Sequence, residues 1–144
     1  MCNILLMTTS TPWRGILTAT ALPFTADDAV DFERFAEHVA WQCTNGCDGV
    51  VVNGSLGEYQ TLTQEERAEV VRVAVAAATP VNGTVVAGVA AYGSDESRYW
   101  AQQAAEAGAS AVMLLPPNAY RADERVVLEH YRAVAKEELP IIAY

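Results

Sequence analysis

Gly49-Val50-Val51-Val52, running straight into Asn53-Gly54-Ser55-Leu56-Gly57-Glu58, is the stretch whose reading decides the fold. A strand with one wet face alternates apolar and polar residues, whereas Val50, Val51 and Val52 leave neither face polar. Such a run fits a parallel strand with helices on one side and a core on the other. Val112-Met113-Leu114-Leu115 repeats the pattern further along the chain.

Working outward from that strand, the sequence predicts strands over Gly15–Leu22, Gly49–Val52, Thr84–Gly88, Ala111–Leu115 and Ile141–Tyr144. Helices fill the intervals. Asp31 precedes an apolar stripe of Phe32, Phe35, Ala36, Val39 and Ala40 that stops at Gly46, a helix-ending glycine. Thr63-Gln64-Glu65-Glu66 reads as a capping box opening a helix to about Ala78. Ser94 opens a third helix to Gly108, and Asp123 a fourth that carries Val126, Val127, His130, Val134 and Leu139. Trp41 and Trp100 fall in helical stripes and are expected to pack, and Trp13 to close the bottom of a barrel. His38 and His130 are placed on helix faces turned away from the strand ends, as surface or packing residues.

A βα unit recurring about every thirty residues leaves two architectures open, a doubly wound sheet or part of a (β/α)8 barrel of typically ~250 residues. The ending separates them. The fifth strand finishes on Tyr144 with no helix after it, leaving an apolar face and an open edge that a complete open-sheet domain rarely tolerates. The expectation is therefore α/β, a partial (β/α)8 barrel of four βα units plus a fifth strand. It occupies residues 14–144, behind an extension of residues 1–13 within which Met7 is an alternative start.

The 144 residues are 51% hydrophobic and 19% charged, the composition of one globular domain. Nine Lys and Arg against eighteen Asp and Glu give a net charge of −9, which repels nucleic acid and anionic membrane alike. No apolar run approaches the roughly 20 residues of a membrane-spanning helix, and the N-terminus lacks the basic flank and long apolar region of a signal peptide. Three cysteines, with Cys43 and Cys47 spaced unlike a zinc knuckle, read as free thiols in a reducing cytoplasm with no metal.

In α/β sheets and barrels, chemistry sits at the carboxyl ends of strands. The first candidate is the turn Gly54-Ser55-Leu56-Gly57, whose amides and hydroxyl can converge on a small carboxylate. The same glycines suit an ordinary βα turn, and spacing alone leaves both readings open.

Gly54-Ser55-Leu56-Gly57-Glu58, followed by Thr61-Leu62-Thr63 and Glu66-Arg67, resembles the signature of the dihydrodipicolinate synthase and N-acetylneuraminate lyase family. Gly15-Ile16-Leu17 to Pro23-Phe24 resembles its first strand and turn, and Val86-Ala87-Gly88-Val89 its third strand. Leu115-Pro116-Pro117 resembles the end of its fourth, and Leu139 to Tyr144 its fifth. The match spans Arg14 to Tyr144 but only about the first half of that family's barrel. The family comprises pyruvate-dependent class I aldolases and lyases, which form a Schiff base on a 2-oxo acid.

The resemblance implies that Gly54, the Ser55 hydroxyl, and the backbone amides of Ser55 and Leu56 hold the carboxylate of pyruvate. Tyr144 is then the catalytic phenol that moves protons, and Glu58 ties the loop to the helix start. It further implies a 2-oxo acid substrate, an aldehyde partner, no cofactor, and a cytoplasmic homo-oligomer. Leu56 stands where the synthases carry a second hydroxyl, and Asn118-Ala119 where they carry a tyrosine, with Tyr120 one place on. Both departures point to another substrate in the family than that of lysine biosynthesis. The family's Schiff-base lysine lies on strand six, beyond Tyr144. Lys136, the one lysine among nine basic residues, sits beside Glu137 and Glu138 as a solvated cation near a helix end. This chain alone is therefore expected to be inactive. The alternative is a non-catalytic half-barrel that pairs with itself or a partner chain through the edges of its first and fifth strands, and an open-sheet binding module ranks last.

Overall fold

In the computed structural model, which describes residues 11–117 and 120–144, five strands form one parallel sheet whose spatial order follows the chain. They are β1 (Leu17–Ala19), β2 (Gly49–Val52), β3 (Thr84–Gly88), β4 (Ala111–Leu114) and β5 (Ile141–Ala143). The connecting helices are α1 (Phe32–Thr44), α2 (Gln64–Ala78), α3 (Ser94–Glu106) and α4 (Glu124–Val134). Val51 pairs with Val86 across β2 and β3, and Val112 with Ile141 across β4 and β5.

The two faces of the sheet have different neighbours. Val50, Val52, Val85, Ala87, Val112 and Leu114 point to one side, where Phe35 and Val39 of α1, Val70 and Ala74 of α2, Trp100 of α3 and Val134 of α4 complete a core. Val51, Val86 and Ala111 point to the other side, where Trp13, Leu17, Met113 and Ile142 pack on them without a helix. A doubly wound sheet needs helices on both faces and a reversal of strand order. Strands in chain order with every helix on one face are the barrel arrangement, and the sheet is part of one.

Local chemistry explains the element ends. Asp31 accepts from the Arg34 amide at the start of α1, and Gly46 adopts φ +107° just past its end, where the Cys47 amide turns back to the Gln42 carbonyl. Thr63 and Glu66 form the reciprocal capping box of α2. Asp123 caps α4 through the Val126 amide at 2.8 Å.

Several expectations are corrected. β1 is shorter than Gly15–Leu22, because Gly15 has φ +64° and the Ile16 amide is taken by the Asp48 carboxylate rather than a strand neighbour. Trp41 is 61% exposed, since it lies about 200° around the helix from buried Val39 and Gln42 takes the inward position. Leu139 lies beyond α4, though it still packs on the main core. Ser94 begins α3 as expected, with Gly93 at the capping position and the Ser94 hydroxyl bonded to His130. The Asn118-Ala119 departure and nearly all of the expected extension fall outside the described residues. Cys43 and Cys47 are unbridged thiols, and burial pushes the Cys43 thiol up with a smaller contribution from Cys47.

Candidate active site

β2 ends at Val52, and Asn53 turns the chain in the left-handed region at φ +54°. A single 3-10 turn over Ser55–Gly57 follows, closed by Gly57 N–H to Gly54 carbonyl at 3.0 Å. Glu58, at φ +51°, ends it and accepts from both the amide and the hydroxyl of Thr61 at 2.9 Å. The loop is thus tied through the Glu58 backbone carbonyl. The first amides of such a turn have no carbonyl behind them, and among the described residues those of Ser55 and Leu56 pair with no backbone acceptor.

The residues that carry these amides border a cavity of about 220 Å³ at the carboxyl ends of the strands. Gly54, Ser55, Leu56 and Tyr144 all line it, so the four residues singled out in the sequence meet in one place. Asn53, Gly88, Ala90 and Met113 make up more of its wall, and among the described residues no lining side chain is charged. Tyr144, one of the lining residues, is 77% exposed. Its backbone is fixed, because the Leu114 carbonyl accepts both the Tyr144 amide at 3.1 Å and the Tyr131 hydroxyl at 2.9 Å. Burial pushes the Tyr131 phenol up, so that group stays protonated and donating. Lys136 stands exposed in the 3-10 turn before β5, at the opposite end of the sheet.

His130 is 2% exposed and does not face away from the strand ends. Its Nε2 lies 3.1 Å from the Leu115 carbonyl just past β4, and its Nδ1 lies 2.9 Å from the Ser94 hydroxyl. A carbonyl only accepts, so Nε2 carries the proton and Nδ1 receives the Ser94 hydrogen bond. The ring pins α4 and the start of α3 to the end of β4. Burial holds its pKa below the ordinary 6.5, the Leu115 bond opposing this in part. Native His130 is therefore neutral where the unfolded chain takes up a proton. Its contribution is complete above about pH 6.5 and is lost as the pH falls toward the lowered native value. Urea midpoints are expected to be lower at pH 5.5 than at 7.5, with the difference reduced in His130→Gln; an equal drop in that variant excludes His130 as the cause.

The family model described as the dihydrodipicolinate synthetase family matches residues 12–144. This chain belongs to that family. Two 4-hydroxy-tetrahydrodipicolinate synthases are among its similar relatives. That of Bartonella bacilliformis is 35% identical over 132 residues, covering 91% of this chain and 45% of the relative. That of Cutibacterium acnes is 40% identical over 132 residues, covering 90% and 44%. Among solved structures, dihydrodipicolinate synthase from Aquifex aeolicus superposes with a TM-score of 0.86 at 32% identity, covering 92% of this chain and 45% of the other. The Bacillus anthracis synthase gives 0.85 at 31%, covering 90% and 44%. The chain thus spans less than half the length of these dihydrodipicolinate synthase relatives.

Sequence reading missed one residue of the site's surroundings. Arg67 is 5% exposed, although it is an arginine, and lies against the end of β3. The signal was its phase: Arg67 stands three, four, seven and eleven positions before the buried Val70, Val71, Ala74 and Ala78.

Proposed function

We propose that this chain carries the carboxylate-holding half of a pyruvate-dependent class I aldolase or lyase site, whose whole reaction is Schiff-base chemistry on a 2-oxo acid with an aldehyde partner. The observation that supports it is the convergence of Ser55, Leu56 and Tyr144, from two distant stretches of chain, on one uncharged cavity. A carboxylate there accepts from the Ser55 hydroxyl and the amides of Ser55 and Leu56, a cluster of backbone dipoles that balances an anion without a cation. The Tyr144 phenol then reaches the 2-oxo carbonyl. It donates a proton as that oxygen leaves as water and takes one back in the reverse step.

The nucleophilic amine has to come from elsewhere. A Schiff-base lysine attacks as the free amine, which requires an apolar or cationic neighbourhood that lowers its pKa. Lys136 is exposed beside Glu137 and Glu138, at the wrong end of the sheet. Leu56 in place of a second hydroxyl weakens the proton relay that Tyr144 would serve. The family's resemblance therefore extends here to another 2-oxo acid or aldehyde than that of lysine biosynthesis. A homo-oligomer in the cytoplasm belongs to the same reading. No described helix is long and apolar enough to cross a membrane.

Two measurements test this. Borohydride reduction in the presence of pyruvate is expected to leave Lys136 unmodified, and a stable adduct on it overturns the assignment of the amine. Pyruvate binding followed by NMR titration is expected to weaken about tenfold in Ser55→Ala, the loss of one hydrogen bond to a charged acceptor. Unchanged affinity in a folded variant removes Ser55 from the carboxylate site.

A further inference from the structure

The buried cation of α2, Arg67, contacts several residues of the cavity wall. The Arg67 guanidinium donates through one terminal nitrogen to the carbonyls of Ala90 at 3.0 Å and Gly88 at 3.3 Å. Its Cζ lies over two rings, 4.3 Å from the Trp100 centroid and 4.8 Å from that of Tyr59. Its own backbone carbonyl accepts from the Asn53 side-chain amide at 2.9 Å. Asn53, Tyr59, Gly88 and Ala90 are all members of the wall of the candidate site. Arg67 itself is not.

Burying a guanidinium is unfavourable, and burial pushes this one down to about 10, with Tyr59 and Glu96 opposing. A leucine on the same stripe of α2 avoids that cost and fills a core. What the arginine adds is geometry: a planar fork that bonds to carbonyls while presenting two faces for stacking, which lysine does not offer. The anchored residues matter. Asn53 holds a left-handed φ directly before the carboxylate turn, and a Cβ on Gly88 would lie 2.2 Å from the Asn53 carbonyl oxygen. The turn after β2 and the end of β3 are thus pressed together, and Arg67 clasps both.

We propose that Arg67 is a positioning residue of the candidate site, fixing the direction of the Ser55 and Leu56 amides through Asn53 and Tyr59 and through the carbonyls that end β3. It acts on ligand through these groups and does not touch it. The assignment rests on the pyruvate reading for its ligand, and on the geometry alone for its effect on the turn.

The test uses the full chain with Arg67→Lys, which keeps the cation and loses the fork. Three readings are taken: thermal midpoint, the amide resonances of Ser55 and Leu56 in the ligand-free protein, and pyruvate affinity by titration. A folded Arg67→Lys is expected to displace both resonances and to bind pyruvate at least fivefold more weakly. Resonances that superpose on those of the parent overturn the proposal whatever the stability change, because a purely structural arginine moves the midpoint alone. If Arg67→Lys does not fold, Trp100→Leu decides. It removes one stacking face outside the site wall and is expected to displace the same two resonances; their constancy overturns the proposal. Failure of the parent to bind pyruvate counts against the functional reading, and the resonance comparison still decides the role of Arg67.

Discussion

Gly88→Ala is expected to leave the chain less stable by about 3 kcal/mol or more, near or beyond the upper end of ordinary overpacking. The added methyl would sit 2.2 Å from the Asn53 carbonyl oxygen, 2.8 Å from its carbon and 3.2 Å from the Val52 oxygen. All three are backbone atoms at the end of β2, so no side chain can swing aside. Relief requires β2 and β3 to part, and this spoils the neighbouring pairs Val51–Val86 and Val52–Ala87 in the middle of the sheet. It also pulls the Gly88 carbonyl from Arg67 and the turn before Ser55 out of place. Gly93→Ala is the matched control. Gly93 has φ −133° and nothing within 4 Å of an added Cβ. Its change is expected to stay within about 1 kcal/mol, the range of a capping-residue exchange. Urea unfolding followed by circular dichroism compares the two, and equal stability of Gly88→Ala and the parent overturns the prediction.

The same close approach shows what a sequence exposes and what it hides. β2 and β3 were legible to the residue, because a run such as Val50-Val51-Val52 between turn residues has few alternatives. The α2 capping box was equally clear, since both of its hydrogen bonds are local. What was lost depends on partners far along the chain. Nothing near Gly15 announces that Asp48 takes the next amide and shortens β1. His130 looks like any polar residue on an amphipathic helix until β4 brings the Leu115 carbonyl to it.

The candidate site divides along the same line. Gly54, Ser55 and Leu56 are contiguous, and their turn was readable as a carboxylate site only alongside an ordinary-turn reading. That Tyr144 faces them required the strand order, which places β5 beside β4, whose other neighbour β3 pairs with β2. Arg67 was hidden differently. Its phase put it on the buried stripe, but a buried arginine makes sense only once the carbonyls of Gly88 and Ala90 and the rings of Tyr59 and Trp100 are seen to surround it.

Phe35→Ala is expected to cost about 3–5 kcal/mol, the range for emptying a large aromatic from a core that cannot collapse around the gap. Phe35 is 1% exposed and belongs to the core between the helices and the sheet, with Val39 a turn further along α1 and Val50 and Val52 of β2 in the same cluster. Collapse is resisted from both sides. Those strand valines are held in register by β1 and β3, and α1 is fixed at its start by the Asp31 cap and by the Asp31 amide to the Pro23 carbonyl at 3.0 Å. The hole therefore persists and its lining loses contacts outright. A stability of about 5–15 kcal/mol is ordinary for a domain, so the loss takes much of the total. Trp41→Ala, six positions on in the same helix, removes a larger ring that is 61% exposed and is expected to change stability by no more than about 1 kcal/mol. The contrast between the two variants, measured as urea midpoints on the full chain, tests which face of α1 meets the sheet. Equal losses would mean that α1 is rotated from the position in which Phe35, Val39 and Gln42 face inward.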